Sequence, residues 1–274
     1  MKPIHLTLIG PKQKFGIGVF KEVWQYRELL LAFVVRDIKV RYKQTIIGGM
    51  WAIIQPFATM VIFSFFFGTI IKISSEGIPY PIFSYSGLVL WVYFTNAITA
   101  ASNSLVANSS LITKIYFPRI IIPIASTITG LLDYLIALIL VFLMMAYYQI
   151  TPNINIFWLP IVVIMTTMLS VGIGFWLSAI NVKYRDVQYA IPFFIQLLLF
   201  ITPVIYPISI APRFRFFLSL NPMSGLLEAH RNILINQGHA DLYLLSISFI
   251  ITLIIFLTGA YYFKSNEKHF ADII

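Results

Sequence analysis

Charge is scarce in this chain and cysteine is absent. Of 274 residues, 11% are Asp, Glu, Lys or Arg and 59% are hydrophobic. A soluble domain of ordinary composition carries about 25% charged residues, so most of this chain cannot face water. With no cysteine, neither a disulfide nor a thiolate metal site is available. There is no Gly-Lys dipeptide and therefore no phosphate-binding P-loop. The 10 acids include no two closer than five residues, which rules out an Asp-x-Asp metal pair. The four histidines, His5, His230, His239 and His269, give no His-x-x-x-His site. No catalytic residue and no metal ligand is assigned, and the chain on its own is not expected to be an enzyme. A secretory leader is not expected either, because residues 1–19 are polar, basic and without a long apolar core.

What the chain has in abundance is uninterrupted apolar sequence. Runs of twenty or so residues cross the hydrocarbon core as helices, whereas a barrel would show alternating segments of about ten. Six spans are read at 49–71, 82–106, 120–148, 156–180, 189–206 and 242–263, and only the third contains a charged residue, Asp133. The fifth is the shortest, and Pro192 and Pro203 predict a kink or an early end there. The fold class is therefore all-α, an integral membrane protein of six transmembrane helices. Of the 19 Lys and Arg, 15 lie before 49, in 107–119, in 181–188 and after 263, and only 4 lie in the other connections. Positive residues mark the cytoplasmic side, so both termini are expected there. The net charge of +9 is assigned to topology and contact with membrane lipids, not to nucleic acid.

Between and before the spans lie segments that are not simple loops. Residues 20–46 read as an amphipathic helix in the headgroup region, with Arg36, Lys39 and Lys43 near one face and Phe33, Val34, Val35 and Ile38 around them. Residues 108–119 form a candidate docking element, with Asn108, Ser109 or Ser110 able to cap a short helix and Pro118 able to end it; an ordinary linker is the alternative. Residues 207–241 are too apolar for a free loop. Asn221 followed by Pro222 starts a helix whose Leu226, Leu227, His230 and Leu234 make one face, and two short helices dipping back into the membrane are expected. Asp133 is a functional candidate by its position alone, although a hydrogen bond within the bundle is the favoured role. Arg185 and Asp186 are expected to fix the start of the fifth span. Phe63, Phe66, Phe67, Phe193, Phe200 and Tyr206 are candidates for lining a conduit, because flat aromatic rings suit the C–H faces of sugars. Lipid-facing placement is the alternative for each.

Four stretches carry a resemblance. RELLLAFVVRDIKVRYKQTIIGGMWAIIQP (27–56) closely resembles the permease subunits of bacterial polysaccharide ABC exporters, which move O-antigen, capsule and teichoic acid chains. NVKYRDVQ (181–188), FITPVIYP (200–207) and LNPMSGLLEAHRN (220–232) are similar to that family's motif after the fourth span, end of the fifth span and external re-entrant segment. The resemblance covers about residues 20–265. It implies a division into an N-terminal extension (1–19), an interfacial helix (20–48), a six-span exporter domain (49–263) and a cytoplasmic tail (264–274). It also implies a homodimer in the bacterial inner membrane carrying two copies of a separate ABC ATPase. No cofactor would belong to this chain, since the partner would hold ATP and Mg. The substrate implied is a lipid-linked polysaccharide, most simply an O-antigen, with teichoic acid, capsule or small-molecule efflux as alternatives. By the same resemblance Asn108, Ser109, Ser110, Leu111, Ile112, Lys114, Tyr116, Phe117, Pro118 and Arg119 form the ATPase-coupling helix. Arg27, Glu28, Arg36, Asp37, Lys39 and Arg41 belong to an interfacial gate helix, Arg185 and Asp186 mark the cytoplasmic mouth, and the first and fifth spans line the conduit.

Overall fold

The structure, a computed structural model, describes residues 22–43, 45, 47–210, 212–235 and 241–270. The expected N-terminal extension, 1–19, lies outside the described residues. Among the described residues there is no strand. Among the described residues, after a helical stretch at 22–25, α-helices follow in order: α1 (Arg27–Tyr42), α2 (Trp51–Phe63), α3 (Tyr80–Ala107), α4 (Ser109–Lys114), α5 (Ile121–Tyr147), α6 (Leu159–Lys183), α7 (Val187–Ile201), α8 (Arg215–Ser219), α9 (Pro222–Ile235) and α10 (Leu242–Asn266). A π-helical stretch, Ser64–Ile70, prolongs α2, and a 3-10 stretch, Ile154–Trp158, leads into α6.

Among the described residues, five helical stretches are long and apolar enough to cross a membrane: Gly48–Ile70, Tyr80–Ala107, Ile121–Tyr147, Ile154–Lys183 and Leu242–His269. The sixth expected span, α7, has 15 helical residues, about 22 Å at 1.5 Å per residue against a core of about 30 Å. The prolines explain the early stop. Thr202 precedes Pro203 and is extended, as steric conflict with a following proline ring requires.

Burial orders the bundle. In the most apolar window of each span, 83% of residues are buried for α3 but 11% for α2. The central helix is also the least hydropathic of the five, because a helix enclosed by protein does not have to dissolve in lipid. Five of its hydroxyls are satisfied locally: Ser84, Ser86, Thr95, Thr99 and Ser104 each donate to a carbonyl three or four residues back. α3 packs on α5 and α6, and α6 packs on α10. The last pair is brought close by glycine. A Cβ at Gly259 would meet the Gly172 carbonyl, and one at Gly172 would meet the Phe256 backbone, the small-residue contact that lets membrane helices approach.

One end of the bundle carries α4, the α6–α7 turn and the end of α10. A small aromatic core closes it, with Phe33 of α1 against Phe117 at 5.6 Å and Phe263 against Phe270 at 5.1 Å. Lys264 pairs with Glu22 and Glu267, and the Arg119 amide donates to the Glu267 carboxylate at 2.8 Å. The last helix therefore runs past Phe263 into a folded end; residues 271–274 lie outside the described residues. At the opposite end α9 enters the bundle against α3, α6 and α10, and every residue from Met223 to Ile235 except Glu228 is buried. The Asn221 side chain accepts from the Met223 amide at 3.1 Å, so the expected cap is in place.

Candidate functional site

Three polar constructions stand out in a bundle that is otherwise apolar. The first surrounds Asp133 of α5. Arg41 and Tyr42, at the end of α1, both donate to its two carboxylate oxygens. Gly48, at φ +56°, turns the chain immediately afterwards into α2, a conformation without steric cost for glycine. Burial, and next the Asp133 carboxylate, push Tyr42 up to about 12, so its hydroxyl stays protonated and remains a donor. This group opens onto a cavity of about 250 Å3 between α1, α2, α3 and α5. Trp51, Gln55 and Asn96 line it together with Arg41, Tyr42 and Asp133. Asp133 lies 12 residues into the 27-residue α5, about 18 Å along it, near the middle of the span. The favoured structural role for Asp133 thus has its partners. Sequence reasoning named Asp133 and Arg41 separately but missed their pairing, along with Tyr42, Trp51, Gln55 and Asn96. An amide inside an apolar span was the available signal for Asn96.

The second construction is Arg231 of α9. It is 3% exposed and donates to the carbonyls of Pro203, at 2.7 Å, and Val204. Its guanidinium lies 4.0 Å from the centroid of the Phe83 ring, and Gly87 makes the room, since a Cβ there would collide with it. The preceding residue, His230, shares a 2.9 Å hydrogen bond with the Tyr134 hydroxyl. Arg231 ties the end of α7 to α9 and α3. The sequence signal was an arginine inside an otherwise apolar helix face, and it was not taken up.

The third is the tip formed by 108–119. α4 is helical, but the Asn108 side chain donates back to Ser104 and makes no cap bond. The helix ends at Lys114, before Pro118. Ile112, Phe117 and Pro118 are buried and root the tip. Ser110, Lys114, Ile115 and Tyr116 are exposed, Tyr116 at 89%, with Asn108, Ser109, Leu111 and Arg119 half-buried between them.

The remaining candidates are more dispersed. In α1, Phe33 is buried with Arg36 above its ring at 4.7 Å, and Arg36 pairs with Asp37 at 2.7 Å. Arg27, Glu28, Lys39 and Arg41 are exposed, but so are Leu31, Val35 and Val40, so polar and apolar residues do not separate into two clean faces. Arg185 and Asp186 are both exposed, and neither side chain pairs with another described residue. They do not fix the start of α7 as expected: Asp186 stands at the cap position without a side-chain cap bond.

Phe66, Phe193 and Phe200 are exposed, while Phe63 and Phe67 form an edge-to-face pair half-buried on the core. The Tyr206 hydroxyl turns back to the Phe200 carbonyl at 3.1 Å. Within one chain α2 and α7 each pack on α3. Between the end of α7 and α8, an apolar cleft of about 520 Å3 is lined by Ile201, Tyr206, Phe214 and Phe217.

Comparison with known proteins gives the chain a family. Residues 28–235 match the family described as ABC-2 type transporter. An O-antigen export system permease protein RfbA of Myxococcus xanthus is 27% identical over 262 residues, covering 94% of this chain and 100% of the relative. One of the same name from Klebsiella pneumoniae is 26% identical, covering 96% and 99%. The polysialic acid transport protein KpsM of Escherichia coli is 24% identical, covering 86% and 93%. With three quarters of its length matched and a bundle of membrane-length helices to go with it, the chain belongs to the ABC-2 type transporter family.

Proposed function

We propose that this chain is the permease subunit of an ATP-driven exporter that moves a lipid-linked polysaccharide, of O-antigen type, across the bacterial cytoplasmic membrane. The observation that carries this reading is end-to-end similarity to the O-antigen export permeases of two organisms. The 24% identity to a polysialic acid transporter favours capsule export as the second reading.

ATP would be hydrolysed by a separate subunit that holds the nucleotide and Mg, seated on the rigidly rooted tip with Lys114, Ile115 and Tyr116. Two copies of the permease would meet along α2 and α7, whose exposed aromatics would then face a shared conduit instead of lipid. Such a wall suits a sliding polymer, since transport needs contacts weak enough to release. The positive-inside bias supports a cytoplasmic position for both termini and the α4 tip. Deleting the gene in its source bacterium tests the function. Lipid-linked glycan should accumulate inside the cell and disappear from the surface, and a plasmid copy should restore it; unchanged surface glycan rejects the reading.

A further inference from the structure

The cavity beside Asp133 has room for a ligand. A single water requires about 10–15 Å3 on the measure by which this cavity holds about 250 Å3, so there is room for far more than one bound water. It lies beside the middle of α5, and its walls carry a carboxylate, a guanidinium and two amides. A lipid tail would leave those groups unsolvated, which excludes it.

Charge narrows the choice. Arg41 and Asp133 already neutralise each other, so an anion would meet the carboxylate and a cation would meet the guanidinium. What remains without a partner is neutral and two-sided. Among the described residues neither the Asn96 nor the Gln55 side chain hydrogen-bonds to protein, although Asn96 is half-buried. Each amide presents a carbonyl acceptor and an NH2 donor, the pairing that vicinal hydroxyls satisfy. Aromatic rings stand beside them, with Trp51 on α2 and Tyr93 and Tyr134 on the far wall. Both tyrosine hydroxyls are engaged elsewhere, with Thr167 at 2.7 Å and His230 at 2.9 Å, so these side chains offer the cavity an apolar ring more than a polar tip.

We propose that this cavity is a subsite for one neutral, hydroxyl-rich sugar ring, hydrogen-bonded by Asn96 and Gln55 and packed against the neighbouring aromatic rings. The proposal rests on the export reading above and adds to it a defined sugar site within each protomer, distinct from the aromatic surfaces of α7.

The test uses the full-length protein in lipid nanodiscs. Saturation-transfer NMR reports binding of the methyl glycosides of glucose, mannose and galactose, with geranyl diphosphate as the anionic comparison. At least one glycoside should show transfer. Asn96→Leu and Gln55→Leu should each weaken it by about 3- to 10-fold, the worth of one hydrogen bond. Asn96→Ser, smaller and still polar, keeps the test usable if the leucine variant misfolds, and should weaken binding less. Absence of transfer from every glycoside overturns the proposal and leaves a water-filled cavity. Transfer unaffected by all variants overturns it by placing the sugar elsewhere, and Asn96- and Gln55-dependent binding of geranyl diphosphate alone overturns it in favour of an anion site. Glycan export is scored separately in cells. No sugar binding by the wild-type protein, with gene-dependent export intact, rejects this subsite only, whereas export that does not depend on the gene rejects the function itself.

Discussion

Replacing Arg231 with methionine should destabilise the protein by about 2–4 kcal/mol. The variant keeps an apolar stem of similar length but removes the cation. Two carbonyls, of Pro203 and Val204, then lose their donor inside the bundle, at about 1–3 kcal/mol each. The cation 4.0 Å from the Phe83 ring centroid adds about 2 kcal/mol when desolvated. Against this, methionine no longer carries a charge into a site where Arg231 is 3% exposed, and relief of that burial returns several kcal/mol. The difference leaves the range given. Thermal melting of a fluorescent fusion in detergent measures it, with Gly87→Val as the reciprocal perturbation because its side chain would enter the guanidinium site. The two changes act on one group, so the double variant should lose much less than the sum of the singles. A methionine variant that melts with the wild type, or strictly additive losses, would refute the clamp.

Four other outcomes are expected. Asp133→Ala leaves Arg41 and Tyr42 without their acceptor and should release α1, seen as faster trypsin cleavage at Lys39 and Lys43; an unchanged cleavage rate counts against the pairing. Lys114→Glu combined with Tyr116→Ala should lower ATPase co-purification at least several-fold without changing the melting temperature, because both side chains are exposed; normal co-purification places the dock elsewhere. Because the chain has no cysteine, Asn153→Cys introduces its one thiol, which should react with an impermeant reagent in spheroplasts; reaction only after lysis reverses the topology. Phe66→Leu, Phe193→Leu and Phe200→Leu together should slow glycan export while assembly and ATP turnover persist, and unimpaired export would return these rings to the lipid.

The spans were legible because hydropathy and length act locally: residue by residue, lipid demands apolar side chains over a fixed thickness. The early end of α7 was likewise written in Pro203, and the start of α9 in Asn221 and Pro222. What could not be read was which polar groups meet. Asp133 and Arg41 are 92 residues apart, and nothing in either neighbourhood specifies the other. Arg231 looked like one of the few external cations, yet it is buried because α9 folds inward and Gly87 leaves a space. Arg185 and Asp186 invited the opposite error: two charges ahead of the fifth span suggested a role in fixing its start, but they lie in the turn before α7, both exposed, and Asp186 makes no side-chain cap bond.

The central claim is ATP-driven movement of a glycan on a lipid carrier. Inverted membrane vesicles containing this chain and its ATPase, loaded on the outer, cytoplasmic face with lipid-linked glycan, test it most directly. ATP should convert that glycan to a form protected from added glycosidase, and a hydrolysis-deficient ATPase should abolish the protection. Protection that develops without ATP, or none in vesicles whose ATPase is assembled and turning over, would contradict the account.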